Sequence, residues 1–127
     1  MVQNNLAYLA GIVDGEGYFF LEQAKKNYQI PVLGVEMAEK DVIKAFSDYF
    51  GCGHLLIRAP RQAHYKLMYR WRVRGRPAIA ILKKMYKYFS IRRRKNADIL
   101  FKHKFKNGHK KIISRNFPQE RGVVESP

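Results

Sequence analysis

Asp14 and Glu16 stand on either side of Gly15, at the point where an uncharged run of the chain ends. Carboxylates are hard-oxygen donors of the kind that hold a divalent cation. Two of them this close are a weak signal alone, so their setting decides what they mean. No residue from Leu6 to Val13 is charged. Leu6, Leu9, Ala10 and Val13 recur at the i, i+3, i+4, i+7 spacing of one helical face. Ala7 and Gly11 lie one turn apart on another face, flanked by Tyr8 and Ile12. The run is too short for a bilayer, which needs roughly 20 apolar residues. A helix apolar on all sides must therefore find its own core on one side and a second protein surface on the other. Two small residues a turn apart allow another backbone to approach closely.

The rest of the chain is basic. Across 127 residues there are 25 Lys+Arg against 10 Asp+Glu, a net charge of +15. With 46% hydrophobic residues the chain can bury a real core, so it is one folded domain and not a disordered basic tail. That much charge on a folded protein points to a polyanion, nucleic acid before membrane. The single cysteine, Cys52, excludes an intramolecular disulfide and a multi-cysteine zinc site. It is expected to pack as a small hydrophobe. His54, His64, His103 and His109 show no zinc-ligand spacing. No basic region precedes the N-terminal apolar stretch, so no signal peptide is expected and an intracellular location is.

The elements that must position these groups follow from periodicity. Asn5 caps a first helix over residues 6–13. Gly15 and Gly17 permit a sharp turn into a strand over 18–24, and Lys25-Lys26-Asn27 forms a hairpin tip. A second strand covers 28–37, where Pro31 implies an edge position or a bulge. Asp41 begins a helix striped by Val42, Ala45, Phe46, Tyr49 and Phe50. Gly51-Cys52-Gly53 ends it. Further strands at 54–58 and 65–73 follow. Gly75 and Pro77 then open a helix whose face carries Ala78, Ile81, Leu82, Met85, Tyr88 and Phe89. After the basic run Arg92 to Lys95 comes a last helix with Ala97, Leu100, Phe101 and Phe105 in register. The order is α-ββα-ββα plus a C-terminal helix. It suits an α+β domain over residues 1–105, a four-stranded antiparallel sheet with helices on one face. Residues 106–127 form a basic, polar extension.

The open face of such a sheet is a candidate surface for DNA. In the fourth strand Leu67, Tyr69, Trp71 and Val73 alternate with Lys66, Met68, Arg70 and Arg72. One face is then apolar and the other cationic. Arg70 and Arg72 are suited to guanine edges or phosphates. In the first strand, Phe19 and Leu21 inward leave Tyr18, Phe20, Glu22 and Ala24 outward. Glu22 is suited to a cytosine amino group, and Phe20 to thymine methyls. Arg58, Lys66 and Lys26 at the hairpin tip complete the expected contacts with double-stranded DNA, and tail lysines such as Lys110 and Lys111 suit phosphates.

The run Leu9-Ala10-Gly11-Ile12-Val13-Asp14-Gly15-Glu16-Gly17 resembles the LAGLIDADG motif of homing endonucleases, and Tyr18-Phe19-Phe20 resembles the strand that follows it. The element order is also that family's, to about residue 105. The resemblance implies a site-specific, intron-encoded DNA endonuclease making a metal-dependent double-strand break at a long pseudo-palindromic site. With a single motif per chain it implies a homodimer, the first helices packing along a two-fold axis through Ala7, Tyr8, Gly11 and Ile12. It implies Mg²⁺ held by Glu16 and the Gly15 carbonyl, with Asp14 orienting helix ends. In that family a basic residue lies near the scissile phosphate. Here residues 91–97 are one residue longer than the matching stretch, leaving Arg92 and Arg93 as candidates. Met37 departs from a water-orienting glutamine found near there in relatives. Two other readings share the fold: an intron maturase acting on RNA, and a DNA-binding regulator without cleavage, against which an intact Glu16 speaks.

Overall fold

The structure, a computed structural model, describes residues 5–59 and 66–105. The elements run α1 (Leu6–Glu16), β1 (Tyr18–Lys25), β2 (Tyr28–Met37), α2 (Lys40–Phe50), β3 (His54–Arg58), β4 (Met68–Arg74), α3 (Arg76–Met85), a 3-10 turn (Tyr86–Tyr88) and α4 (Ile91–Phe101). The strands form one antiparallel sheet in the order β1-β2-β4-β3. The fold class and element order are those expected. No helix among the described residues is long and apolar enough to cross a membrane. The 106–127 extension, with His109, Lys110 and Lys111, lies outside the described residues, as does His64.

The core lies between the helices and one face of the sheet. Phe19, Leu33, Val35, Trp71 and Val73 supply the sheet side, and Leu9, Ala10, Val13, Ile43, Phe46, Leu82, Met85 and Leu100 the helix side. Trp71 is fully buried and stacks on Phe46 and Phe50, with ring centroids 4.9 and 5.8 Å away. Its indole N–H donates to the Cys52 carbonyl at 2.9 Å. Gly53 makes room for that bond. It sits at φ +99, and a Cβ there would lie 2.4 Å from the indole nitrogen. Cys52 packs against the core, as expected of a small hydrophobe.

Several local expectations need correction. Pro31 is not on an edge: β2 is an interior strand and Pro31 is fully buried. The β2–β4 ladder begins only at Val32, and the Pro31 carbonyl accepts from Gly75 N–H at 2.8 Å, where β4 has already turned towards α3. A residue's N–H and C=O point to the same side of a strand, so the donor that proline lacks faces the end of the ladder, where no partner strand needs it. The sheet irregularity falls in β1, between Gln23 and Lys25. Lys66 precedes β4, which starts at Met68. The basic run is not a turn before the last helix; it is the first turn of α4. That helix ends at Phe101, so Phe105 lies outside it, under the Arg76 guanidinium at 4.2 Å. Phe89 is buried as expected, but beyond α3, which stops at Met85.

Replacing Gly53 by alanine forces a Cβ into the Trp71 indole at a left-handed backbone angle. Backbone strain of this type costs about 1–3 kcal/mol. Gly53→Ala should lower unfolding stability by at least that much in urea titrations followed by Trp71 fluorescence.

Candidate functional site

The carboxylates of the motif have separate surroundings. α1 continues through Glu16, closed by Gly17 N–H donating to the Val13 carbonyl at 2.9 Å. Gly17 must be glycine, because a Cβ would meet Val13 backbone and side-chain atoms at 2.9–3.0 Å. Glu16 is exposed, and its carboxylate has no hydrogen-bond or ion-pair partner among the described residues. Asp14 is half-buried, and its Oδ1 accepts the backbone N–H of Ser90 at 2.9 Å. Ser90 is the N-cap residue of α4. Asp14 therefore does for α4 what a capping side chain does, from a distant part of the chain. This is the orienting role expected of it.

Arg93, in the first turn of α4, completes the junction. Its Nε donates to the Asp14 carbonyl at 3.0 Å, and its Nη2 to the Gly17 carbonyl at 2.7 Å. Its guanidinium lies 5.4 Å from the centre of the Phe19 ring. Partial burial, then the neighbouring Arg92 charge, pulls its pKa below the usual arginine value, and Asp14 opposes the shift. It stays a cation at any ordinary pH. The two candidates thus separate: Arg93 touches the motif, while Arg92 is exposed without a hydrogen bond or ion pair among the described residues. Arg94 is taken up by the Lys87 carbonyl at 3.0 Å and the Tyr86 ring.

No group of three His, Cys, Asp or Glu side chains that could hold a metal ion occurs among the described residues. One exposed carboxylate beside the last-turn carbonyl of Gly15 is nevertheless a suitable donor set for Mg²⁺. That ion takes one or two carboxylates, keeps several waters and accepts substrate phosphate oxygens. The Gly15 carbonyl lies in the last turn, where no i+4 donor within the helix remains for it. The C-terminal end of a helix also carries partial negative charge, which favours a cation. Zinc sites take three or four protein side-chain ligands, and no such group occurs among the described residues.

Tyr18, Phe20, Glu22, Val32, Gly34, Glu36, Arg70, Arg72, Arg74, His54 and Arg58 share the outer sheet face by register. Phe20 is 41% exposed there, and Phe19 faces the core, as expected. Lys26 is exposed at the β1–β2 turn beside Asn27, whose φ is +62. Sequence reasoning missed Arg74, which continues the Arg70–Arg72 alternation one step further. Ala7, Tyr8 and Gly11 are exposed on the side of α1 away from the core. Ile12 is half-buried and packs on this chain's own core, so it belongs less to that outer face than its spacing suggests. Met37 also packs against the core and offers no hydrogen-bonding group to a water there.

No family model and no curated protein matches the sequence. Solved structures do match. The homing endonuclease I-CvuI, in complex with its target, superposes with a TM-score of 0.60 at 21% identity, over 75% of this chain and 62% of that one. The archaeal intron-encoded homing endonuclease I-Vdi141I, complexed with DNA, gives 0.57 at 19% identity, over 94% and 87%. The LAGLIDADG meganuclease I-AabMI, bound to uncleaved DNA, gives 0.57 at 20%, over 94% and 40%. The fold is that of the LAGLIDADG homing endonucleases. This chain spans less than two thirds of the length of I-CvuI. The motif helix α1 ends at Glu16 and leads directly into β1, an edge strand of the sheet whose outer face carries the arginines.

Arg93→Met would leave the Asp14 and Gly17 carbonyls without their donor while keeping most of the side-chain volume. Hydrogen bonds to a charged group contribute roughly 1.5–3 kcal/mol. The variant should be destabilised by about 2 kcal/mol in urea, with faster hydrogen exchange at the Ser90 and Gly17 amides than elsewhere. Unchanged exchange at both would mean that Arg93 does not hold this junction.

Proposed function

We propose that this chain is a metal-dependent, site-specific DNA endonuclease that works as a homodimer. The observation that carries the reading is the exposed, unpartnered Glu16 carboxylate at the end of α1, leading into a sheet face that bears Arg58, Arg70, Arg72 and Arg74. Solved proteins of the same fold are held on DNA, I-CvuI among them with calcium or magnesium present.

Glu16 and the Gly15 carbonyl would hold Mg²⁺. When bound, such an ion supplies Lewis-acid stabilisation of charge on a phosphate. The chain's own groups do the rest. Arg93 spends one N–H of Nε and one of Nη2 on the motif carbonyls, and its remaining donors suit the charge that builds on a phosphate in displacement. Asp14, engaged by Ser90, fixes the end of α1 and so the direction of Glu16. The outer sheet face reads the major groove, which admits a β-ribbon. One Glu16 serves one strand, so a double-strand break calls for two copies related by a two-fold axis. Ala7, Tyr8 and Gly11 suit that contact.

The test begins with duplexes recovered by the full chain from a randomised pool, then offered for cleavage with Mg²⁺. Cutting within the recovered sequence is expected. Glu16→Gln should retain binding and cut about 100-fold more slowly or worse, equivalent to about 2.7 kcal/mol of barrier. Normal cutting by this variant would remove Glu16 from the chemistry, and binding without any cutting by the unmutated chain would leave a regulator. Assembly is tested separately. Gly11 is exposed and a Cβ there meets nothing within 4 Å, so a larger side chain starts into open space among the described residues. Light scattering should report two chains for the unmutated protein and one for Gly11→Leu, with cutting lost alongside; a single-chain mass for the unmutated protein would sink the dimer.

A further inference from the structure

The outer sheet face carries three contacts of one kind. Arg74 pairs with Glu22, and Arg58 with Glu36. Arg72 donates from Nε and Nη2 to the Tyr18 hydroxyl at 3.3 and 3.2 Å. Each reaches over an intervening strand. The first and third span β2 from β1 to β4, and the second spans β4 from β2 to β3. Neighbouring strands lie about 4.8 Å apart, so each contact crosses roughly twice that distance along the sheet. Only long side chains lying nearly flat can do so. Two features beneath them agree. Val32 faces outward yet is fully buried, with Phe20 and Arg74 as register partners. Gly34 is the floor under the Tyr18 ring, and a Cβ there would lie 2.5 Å from the ring's far end. Arg70 is different: it has no hydrogen-bond or ion-pair partner among the described residues, and Glu36, its register neighbour, is taken by Arg58.

We propose that Glu22, Glu36 and Tyr18 are specificity-determining residues of the DNA-binding face. They hold Arg74, Arg58 and Arg72 flat across the sheet, withholding these guanidiniums from sequence-independent phosphate contact and leaving Arg70 as the guanidinium that reads a base. This rests on the proposed DNA-binding function and adds to it. Coulombic attraction to phosphates carries no sequence information and supplies nearly all non-specific affinity. On a chain of net charge +15, unrestrained arginines on the reading face would add to binding at every register. Four guanidiniums there face two carboxylates, which offset half of the formal positive charge that these arginines bring to the face. The carboxylates also repel phosphates directly.

The experiment compares affinities of the full chain for a random-sequence duplex and for its pool-selected duplex, across a salt series. Glu36→Gln should tighten random-duplex binding several-fold, steepen its salt slope by about 0.9, one added phosphate contact, and lower the ratio of selected to random affinity. In an Arg58→Ala background the same substitution should do little. Gly34→Ala should act in the same direction by pushing the Tyr18 ring off Arg72. It gives a second reading should Glu36→Gln perturb the fold. Asp48→Asn is the charge-matched control, because Asp48 pairs with Lys44 at 3.1 Å on α2, behind the sheet. It should leave the ratio unchanged. An unchanged ratio for both Glu36→Gln and Gly34→Ala overturns the proposal. So does a gain equal to that of Asp48→Asn, or one that persists without Arg58. An unmutated chain that binds no duplex even at low salt would overturn the proposed function itself, and this inference with it.

Discussion

The junction between the end of α1 and the start of α4 is the constraint on which the site depends. Two helix ends of opposite polarity meet there, the partly negative C-terminus of α1 and the partly positive N-terminus of α4. Asp14 is poorly placed for its own helix, where an anion near the C-terminus is unfavourable. It is well placed for α4, whose Ser90 N–H it accepts. Arg93 answers from the other side, giving two N–H donors to carbonyls that α1 and its exit turn leave without helical partners. Asp14 and two of the Arg93 donors are thereby committed to structure. Glu16, between the two carbonyls that Arg93 holds, is left outward with its carboxylate available. A rigid exit and an unengaged acid are two results of one arrangement.

That division of labour was only partly legible in the sequence. The motif acids, the apolar faces of α1 and the alternation of β4 are local patterns, and a period of 3.6 or 2 reads them directly. The partner of Asp14 lies 76 residues away. Nothing local distinguishes an acid that caps a remote helix from one that awaits a cation. The basic run misleads for a related reason. Consecutive arginines resemble a solvated turn, yet they form the first turn of α4, whose N-terminus is capped across the fold by Asp14 and whose Arg93 and Arg94 are held by carbonyls. Pro31 fails the same way. Its penalty depends on which strand lies beside it, and the position of β4 between β2 and β3 is a tertiary fact.

The same strand order creates the side-chain lattice on the outer face. Glu22 with Arg74 and Tyr18 with Arg72 are more than 50 residues apart, and they meet only because β4 lies next to β2 and not at the edge. In the sequence Glu22 and Arg72 are separate candidates for contacting DNA, each judged by its own chemistry, and Tyr18 and Arg74 are not among them. In the fold they are partners, so a glutamate suited to a cytosine amino group is already accepting from an arginine. The surface is better described by its pairs than by its residues, with Arg70 standing outside them.

The outer side of α1 follows from the same accounting of what is already engaged. Once Leu9, Ala10 and Val13 are buried and Ile12 is drawn to the core, the exposed remainder of α1 is Ala7, Tyr8, Gly11, Gly15 and Glu16. Ala7, Gly11 and Gly15 are spaced by four, so they line one stripe ending beside Glu16. Glycine in a helix interior costs about 1 kcal/mol relative to alanine, and at Gly11 and Gly15 no neighbour among the described residues requires it, since a Cβ at either meets nothing within 4 Å. A flat, uncharged stripe on a chain otherwise crowded with lysine and arginine suits a second backbone, and only small residues let one come close. In the proposed dimer that approach would bring the two Glu16 carboxylates towards the axis from opposite sides. The close contact and the spacing of the two cleavage sites would then be set by the same three small side chains.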